Sequence, residues 1–522
     1  MDKFLINIIP REYQEEILKN CLEKNSLVIL PTGIGKTLIA LMLVIERMKK
    51  YPLEKVLILA PTRPLAQQHF SYFKDHLPEL FAQIDIFTGE IAADNRRKIW
   101  ERADIVFSTP QCIANDIKNN LYNLENVSLL IEDEAHRCVK NYAYTYVAKA
   151  YLSQATNKRI LGLTASPGAD KKTIKTICEN LSIENVEIRT RESEDVKKYL
   201  QELEFEKIKV DFPPKFEEIR KLLKSILIKR IDELKNRNLL FGPPTKISLL
   251  EAQKRIMAQI SSGNKNFNLL LGASTCAQAI KVEHAIELIE TQTLYSLNSY
   301  IEGLLKQASE NKSKAVVKLV SQPEFLIVLE KLKQLIEENV EHPKLEVLKI
   351  ILKERISKNP KLKAIVFCQY RESINKICKE LNSVDNITAK VFVGQAKISA
   401  TSLGLSQKEQ QEIIREFSAS EFNVLCATSI GEEGLDIPEV NAVIFYEPVP
   451  SAIRTIQRAG RTARLMPGEL IMLITKNTRD EGHFWAAQAK EKKMHKAIGD
   501  IKDDLQNNKI NFNNEEKQKE LF

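Results

Sequence analysis

A glycine-rich loop between an apolar strand and a helix is the strongest constraint on this chain. Residues 26–30 (SLVIL) are strand-like, residues 31–37 (PTGIGKT) follow at once, and a helix-length segment comes next. Glycines let such a loop turn its N–H groups toward phosphate oxygens, and the helix start adds positive charge. The pattern predicts a nucleotide site in which Lys36 contacts the β and γ phosphates and Thr37 holds Mg²⁺. Thr32, Gly33 and Gly35 complete the predicted phosphate cradle.

A pair of adjacent carboxylates follows a second apolar strand. Residues 128–132 (SLLIE) lead directly into Asp133 and Glu134, which begin a DEAH sequence. Carboxylates at a strand end suit a metal-held triphosphate. We predict that Asp133 joins Thr37 in the Mg²⁺ shell and that Glu134 polarises the attacking water. Together, the loop and the carboxylates predict an NTPase that uses ATP and Mg²⁺.

The order of apolar and amphipathic segments predicts an α/β fold with two parallel sheets. Strand-like runs alternate with helix-length segments in residues 1–205 and again in 336–498, as in parallel sheets covered on both faces. Apolar residues recur at helical spacing in residues 206–335, which predicts an all-helical insert between the two sheet domains. Residues 499–522 are predicted to be a polar, flexible tail. The predicted strands are residues 26–30, 55–60, 84–87, 104–108, 128–132, 159–163, 364–368, 389–393, 423–427, 442–446 and 470–474.

Charge and cysteine usage narrow the partner and the compartment. Lys and Arg number 77 against 69 Asp and Glu, for a net charge of +8, and part of the excess lies in the insert. This balance favours a polyanionic partner. No stretch approaches the ~20 apolar residues that a membrane span needs, and the N-terminus lacks the basic start of a signal peptide. The eight cysteines form no CxxC pair, so we expect buried free thiols in a cytoplasmic protein.

An arginine repeat in the second half suits charge stabilisation. Within residues 457–464 (QRAGRTAR), an arginine recurs at every third position. We predict that Arg461 and Arg464 cross a cleft between the two sheets and stabilise charge on the γ-phosphate. Such arginine fingers typically contribute about 10³-fold or more in rate. Closure of the cleft and hydrolysis would then be coupled.

These motifs together resemble those of superfamily 2 helicases, which have two RecA-like motor domains. The phosphate loop, DEAH, TASP at 164–167, ATS at 427–429 and QRAGRTAR occur in that superfamily's order, and residues 10–14 (PREYQ) resemble its adenine-reading Q motif. Further segments narrow the resemblance to the Hef/FANCM family over about residues 8–495. They are residues 281–300 of the insert, 342–345 (HPKL), 392–395 (FVGQ), 404–410 (GLSQKEQ) and 427–438 (ATSIGEEGLDIP).

The resemblance implies an ATP-dependent DNA helicase or translocase that acts in DNA repair on branched DNA, such as stalled forks and Holliday junctions. It also implies that the insert contacts the duplex arms. Further ATP contacts implied in this way are Gln14, Gly434 and Asp436, with Gln457 beside the arginine fingers; His136, Thr164 and Ser166 are the implied coupling residues. The implied nucleic-acid contacts are Thr62, Arg63, Thr88, Gly89, Thr109, Gln111, Gln369, Arg371, Gly394 and Thr428.

Three features depart from the family pattern: the XPF-like nuclease is missing, Ala463 stands where the arginine motif usually has Gly, and Ile34 fills an open position of the phosphate loop. Two other functions stay open. The XPF-like nuclease of Hef-type proteins has no counterpart here, so we expect no nuclease activity in this chain and a separate nuclease as partner. Residues 518–522 (QKELF) only faintly resemble a sliding-clamp peptide. The protein is expected to associate with the nucleoid. The alternatives are an RNA-directed motor of the Dicer/RIG-I type and a non-catalytic DNA-binding scaffold, against which the intact ATP-site residues argue.

Overall fold

The fold contains two parallel sheets, as the sequence predicted. The computed structural model describes residues 4–140, 142–263, 266–395, 404–428, 437–451, 462, 467–507, 509–510 and 512. Elements are numbered within these residues. Every predicted strand is present, and all strand pairings in both sheets are parallel. All eight cysteines are free and buried, as expected. Within the described ranges, no helix is both long and apolar enough to span a membrane.

The first sheet has seven strands in the order β3-β4-β2-β5-β6-β1-β7. Its central strands are apolar and fully buried because helices cover both faces. The strands are β1 Ser26–Ile29, β2 Lys55–Leu59, β3 Ile84–Phe87, β4 Ile105–Ser108, β5 Val127–Asp133, β6 Ile160–Thr164 and β7 Asn185–Ile188. The helices are α1 Glu12–Glu23, α2 Lys36–Lys50, α3 Arg63–His76, α4 Ala93–Arg102, α5 Pro110–Lys118, α6 Ala143–Gln154, α7 Lys171–Asn180 and α8 Glu194–Lys197, with a 3-10 turn at Ala135–Arg137.

The second sheet has six strands in the order β10-β11-β9-β12-β13-β8. The strands are β8 Leu203–Val210, β9 Ala364–Phe367, β10 Ala389–Phe392, β11 Val424–Ala427, β12 Ala442–Phe445 and β13 Gly468–Thr475. The helices are α15 Pro343–Lys358, α16 Arg371–Leu381, α17 Gln407–Ser418 and α18 Arg479–Gln506. Between β8 and α15, the insert contains α9 Pro214–Asn236, α10 Lys246–Ser261, α11 Phe267–Thr291, α12 Leu294–Ser309, α13 Lys314–Val320 and α14 Pro323–Glu337.

Strand β8 corrects the predicted boundary of the insert. The boundary at residue 205 falls inside β8, which pairs along its whole length with β13 of the second sheet. The chain therefore enters the second sheet before it forms the insert, so the insert is an insertion within the second domain. The strand was missed because it lies at the sheet edge, where one face meets solvent, and its sequence LEFEKIKV alternates charged with apolar residues.

The prediction that the flexible tail begins at residue 499 is wrong, because helix α18 extends through the start of that segment. The helix continues to Gln506, well past residue 499. Its C-terminal half packs into the core of the first domain through Met494, Ile498, Ile501 and Leu505, and Phe512 joins the same core. These residues recur at helical spacing, but abundant Lys and Asp in the segment hid the pattern. Residues 513–522, which include the clamp-like peptide, lie outside the described residues.

Candidate nucleotide site and nucleic-acid face

The phosphate loop joins β1 to α2 and has the conformation that its glycines permit. Gly33 and Gly35 have φ of +83° and +85°, which favour glycine. Gly35 is the N-cap of α2, so Lys36 and Thr37 stand at the positive end of that helix. Lys36 Nζ donates to the carbonyl oxygen of Leu30 at 3.0 Å, which keeps the ammonium group close to the loop.

Two residues of the Q motif contact the backbone of this loop. Gln14 is buried, its Nε2 lies 3.4 Å from the carbonyl oxygen of Ile34, and its Oε1 accepts from the N–H of Arg11 at 2.8 Å. The Tyr13 hydroxyl donates to the same Ile34 oxygen at 2.6 Å. A Cβ on Gly35 would stand 2.1 Å from Gln14 Nε2, so a larger residue there would be strained by its φ angle and would also push the Gln14 amide out of place.

The two carboxylates lie at the end of β5, close to the phosphate loop. Asp133 Oδ2 accepts a hydrogen bond from, or pairs with, His69 Nε2 at 2.8 Å. Burial raises the pKa of Asp133, but His69 and the charge of Lys36 outweigh burial and hold the pKa below its ordinary value. Asp133 is therefore an anion at neutral pH. Glu134 has a left-handed backbone with φ of 52°, a conformation that concentrates at functional sites.

The predicted coupling residues form a chain of contacts that begins at Glu134. His136 Nδ1 lies 3.2 Å from Glu134 Oε2 and 3.2 Å from Thr164 Oγ1. Thr164 Oγ1 accepts from the Ser166 N–H and donates to the Ser166 carbonyl oxygen, both at 3.1 Å. Ser166 Oγ then contacts Met494 Sδ of α18 at 2.8 Å. The carboxylate is thus connected, contact by contact, to the helix that links the two domains.

The residues present fit a triphosphate with Mg²⁺. Thr32 Oγ1 is buried and has no hydrogen-bond partner among the described residues. Buried hydroxyls normally have a partner, so this one is suited to a ligand in the loop. The oxygens of Thr37, Asp133 and Glu134 are of the kind that Mg²⁺ prefers.

A cavity of about 370 Å³ separates the two domains beside the phosphate loop. Pro31, Thr32 and Ala165 line it from the first domain, and Leu203, Met472 and Met494 line it from β8, β13 and α18. Because these walls belong to different domains, the width of the cavity depends on how the domains sit relative to each other.

The predicted nucleic-acid contacts of the first domain occupy the other half of the same sheet edge. They follow β2, β3 and β4, whereas the nucleotide residues follow β1, β5 and β6; the strand order keeps the groups apart. Thr62 and Thr109 are the N-caps of α3 and α5, so helix N–H groups lie beside their hydroxyls. Thr88 and Gly89 follow β3, Arg63 pairs with Glu90, and Gln111 Nε2 donates to the Tyr142 hydroxyl at 3.1 Å.

In the second sheet, the predicted nucleic-acid contacts also follow one group of neighbouring strands. Gln369 and Arg371 follow β9, Gly394 follows β10 and Thr428 follows β11, which are adjacent strands. Arg371 donates to the Gly394 carbonyl oxygen at 2.7 Å, and the Gln369 N–H donates to Glu447 Oε1 at 2.7 Å. The structure therefore brings these predicted contacts together.

Some predictions cannot be placed. Gly434, Asp436, Gln457, Arg461 and Arg464 lie outside the described residues. Within their segment, Thr462 is described: its hydroxyl donates to the Val440 carbonyl oxygen at 2.6 Å, beside the second sheet.

Two residues of the site were missed from the sequence. His69 contacts Asp133 from α3, and the Tyr144 hydroxyl donates to the Asp133 carbonyl oxygen at 2.6 Å. Neither residue belongs to a motif, so only the three-dimensional structure reveals them.

Three basic residues of α9 pair with acids of the insert itself. Lys224 lies 3.7 Å from Glu290, Lys229 pairs with Glu324, and Arg230 lies 2.9 Å from Glu233. These pairs reduce the positive field with which α9 could attract duplex DNA.

Fold and site together define a P-loop nucleotide-hydrolysing motor with two parallel-sheet domains. Family models match the chain in three consecutive parts: DEAD/DEAH box helicase at residues 11–174, an ATP-dependent RNA helicase helical bundle at 215–339, and the helicase conserved C-terminal domain at 343–466. The solved Hef helicase domain of Pyrococcus furiosus is 44% identical, with a TM-score of 0.69 over 92% of this chain and 98% of that one. The chain belongs to the Hef/FANCM family of superfamily 2 helicases, with RecA-like motor domains.

Curated relatives extend beyond the matched region. A Methanocaldococcus jannaschii protein, provisionally named an ATP-dependent RNA helicase, is 38% identical over 94% of this chain and 60% of its own length. The ATP-dependent DNA helicase mph1 of Neurospora crassa is 33% identical over 94% of this chain and 43% of its own length. The chain thus spans about half the length of these relatives.

Proposed function

We propose that this chain is an ATP-driven DNA helicase or translocase that acts on branched DNA, such as forks and Holliday junctions. The observation that carries the proposal is the division of the first sheet's edge: nucleotide residues follow one set of strands, and the residues proposed to contact nucleic acid follow the neighbouring set. One sheet therefore carries both the residues that act on ATP and the residues proposed to contact the nucleic-acid strand. The names of the Pyrococcus Hef domain and the Neurospora DNA helicase support this proposal.

In the proposed hydrolysis, the phosphate loop and Lys36 hold the triphosphate, and Gln14 reads the adenine. Thr37 and Asp133 hold Mg²⁺, which neutralises phosphate charge when it is bound. Glu134 polarises the attacking water, with His136 fixing its carboxylate. Arg461 and Arg464, with Gln457, Gly434 and Asp436, complete the site from the second domain. Their arrival on closure of the cleft makes hydrolysis depend on domain position.

The proposed grip on the strand uses hydroxyls, amides and helix N-termini. Such groups contact phosphates and position a strand without reading its sequence. Thr62 supports this role, because its Oγ1 is buried and has no hydrogen-bond partner within the described residues. Movement along any sequence follows from a grip of this kind. Contact between the insert and the duplex arms, association with the nucleoid, and a nuclease or sliding clamp as partner stay predictions.

The second candidate is an RNA-directed motor. It is favoured by the name of the Methanocaldococcus relative and by the description of the family model that matches the insert. The ATP site would be the same, so only the substrate distinguishes the two candidates.

The nucleotide assignment is tested by Lys36→Ala. Lys36 is proposed to contact the phosphates of ATP and not the nucleic acid. We therefore expect ATP hydrolysis to fall to background while the DNA affinity measured in a gel-shift titration stays unchanged. Hydrolysis at the unaltered rate would contradict the assignment.

The substrate is tested by measuring ATP hydrolysis without nucleic acid and with single-stranded RNA, single-stranded DNA or forked DNA at equal nucleotide concentration and fixed salt. Strongest stimulation by forked DNA supports the proposal. Strongest stimulation by RNA would favour the second candidate and leave the motor chemistry intact.

A further inference from the structure

The segment 368–373, here called the grip loop, runs into the first turn of α16 and presents residues to two opposite sides. Gln369 is exposed, and Arg371 reaches the carbonyl oxygen of Gly394. Cys368 and Ser373 are buried, and Tyr370 packs against the hydrophobic core of the insert. One side of the loop therefore carries the proposed nucleic-acid contacts, while the other side lies against the insert.

Gln292 of the insert holds both ends of the grip loop. Its Oε1 accepts from Cys368 Sγ at 3.0 Å and from Ser373 Oγ at 2.8 Å. Ser296 Oγ lies 2.7 Å from the same Ser373 hydroxyl. Gln292 is 1% exposed, and a buried polar group that loses its partner is costly. These bonds therefore fix the separation between the loop and the insert.

Tyr370 anchors the middle of the loop to α11. Its ring packs against the core of the insert and lies 5.5 Å from that of His284, which neighbours Glu287. Glu287 in turn binds Lys246 Nζ at 2.5 Å and lies 3.3 Å from His284 Nδ1. Burial raises the pKa of Glu287, but the hydrogen bonds from His284 and Lys246 outweigh burial and lower it to about 2. The carboxylate is thus charged and is itself held in place.

We propose that the insert positions the nucleic-acid grip of the second motor domain, with Tyr370 and Ser373 as positioning residues held by His284 and Gln292. The inference rests on the proposed function of Gln369 and Arg371. It gives the insert a second task beside any contact of its own with DNA. A substrate that shifts the insert changes the grip, and by reciprocity a gripped strand changes the affinity of the insert for its own ligand.

The test compares Ser373→Ala, Gln292→Met and their double variant. Ser373→Ala removes the hydroxyl that donates to Gln292 Oε1, and Gln292→Met removes the acceptor at nearly the same volume. We expect the single-stranded DNA concentration that half-saturates ATP hydrolysis to rise about fivefold in Ser373→Ala, as for one lost hydrogen bond, with the KM for ATP unchanged. The double variant should rise by less than the product of the two single effects, because both substitutions break the bond between Ser373 and Gln292.

Tyr300→Phe is the matched control. The Tyr300 ring also lies against His284, at 4.7 Å, but its hydroxyl donates to the Lys281 carbonyl oxygen within the insert. It should leave the half-saturating concentration unchanged. Tyr370→Leu, which removes the ring that packs against the insert, should raise that concentration as Ser373→Ala does.

The outcomes separate this inference from the function on which it rests. If Arg371→Ala raises the half-saturating concentration while Ser373→Ala and Tyr370→Leu leave it unchanged, the inference is wrong and the proposed grip stands. If Arg371→Ala itself has no effect, or no nucleic acid stimulates the unaltered protein, the proposed function fails and the inference fails with it.

Discussion

Gly35 shows how closely a single residue of the nucleotide site is determined. The sequence marks it as part of a phosphate loop, and the left-handed φ angle of the glycine agrees with that motif. The sequence does not show that Gln14 fills the space beside its Cα. The motif thus identifies the backbone conformation of Gly35. The limited space beside its Cα, in contrast, is set by Gln14 on a separate helix. His69 was missed for the same reason, since its contact with Asp133 depends on how α3 packs.

At this scale we predict that Gly35→Ala impairs both stability and ATP binding. An alanine at φ of +85° is strained, by about 1–2 kcal/mol, and its Cβ would displace Gln14. We expect a lower unfolding midpoint and a higher KM for ATP. The matched control is Gly303→Ala in α12, where nothing lies within 4 Å of the added Cβ; it should stabilise the helix by about 0.5–1 kcal/mol. Equal behaviour of the two variants would contradict the prediction.

Individual elements were predictable where burial is two-sided and were missed where it is not. Apolar runs such as β1 and β9 are buried on both faces, and the sequence identified them. Strand β8 is exposed on one face, and its charged residues resembled a linker. The C-terminal half of α18 has a narrow apolar stripe that contacts the first domain. The sequence alone did not identify this stripe, because the surface that it covers belongs to a domain far away in the chain.

For α18 we predict that Ile498→Ala with Ile501→Ala weakens the attachment of the helix to the first domain. Each isoleucine is at most 1% exposed, and truncation of such a residue costs about 2–5 kcal/mol. Because α18 also contacts Ser166, we expect less stimulation of hydrolysis by nucleic acid as well as a lower melting temperature. Asp503→Ala, on the exposed side of the same helix, should change neither. Unaltered stimulation in the double variant would argue against a role for α18 in coupling.

For the whole molecule, the sequence predicted two sheets and an insert but not how they join. Domain order follows from local patterns, whereas the join depends on contacts between distant residues. Lys344 is the clearest example. This residue of α15 donates to Asp480 of α18 and to the carbonyl oxygen of Thr291 in the insert, both at 2.8 Å, with no exposure of either charged side chain. The buried Lys344 ammonium therefore joins an ion pair of the second domain to a backbone carbonyl of the insert.

We predict that Lys344→Ala destabilises the insert and the second domain together. Removing one partner of a buried ion pair leaves an uncompensated charge and costs about 3–5 kcal/mol. Denaturation followed by circular dichroism should show the loss, and limited proteolysis should cleave both parts at the same denaturant concentration. Arg97→Ala, which breaks the exposed pair with Glu101, should cost about 0–1 kcal/mol. Separate unfolding of the insert in Lys344→Ala would show that the contact does not unite them.

The two passages of the chain between the domains constrain how the motor can move. The segment from β7 to β8 and the helix α18 both border the cavity beside the phosphate loop, and β7 and β8 are edge strands. Because these two connections lie side by side, they favour rotation of the first domain relative to the second about the line that passes through both connections. At about 4.8 Å per strand, β3 lies roughly 29 Å from β7, so a rotation of about 10° displaces the far edge by about 5 Å. That exceeds the roughly 3.4 Å between successive nucleotides of a duplex strand. The edge strands thus give the lever arm that would convert a small closure at the nucleotide into a step of about one nucleotide at the nucleic-acid face.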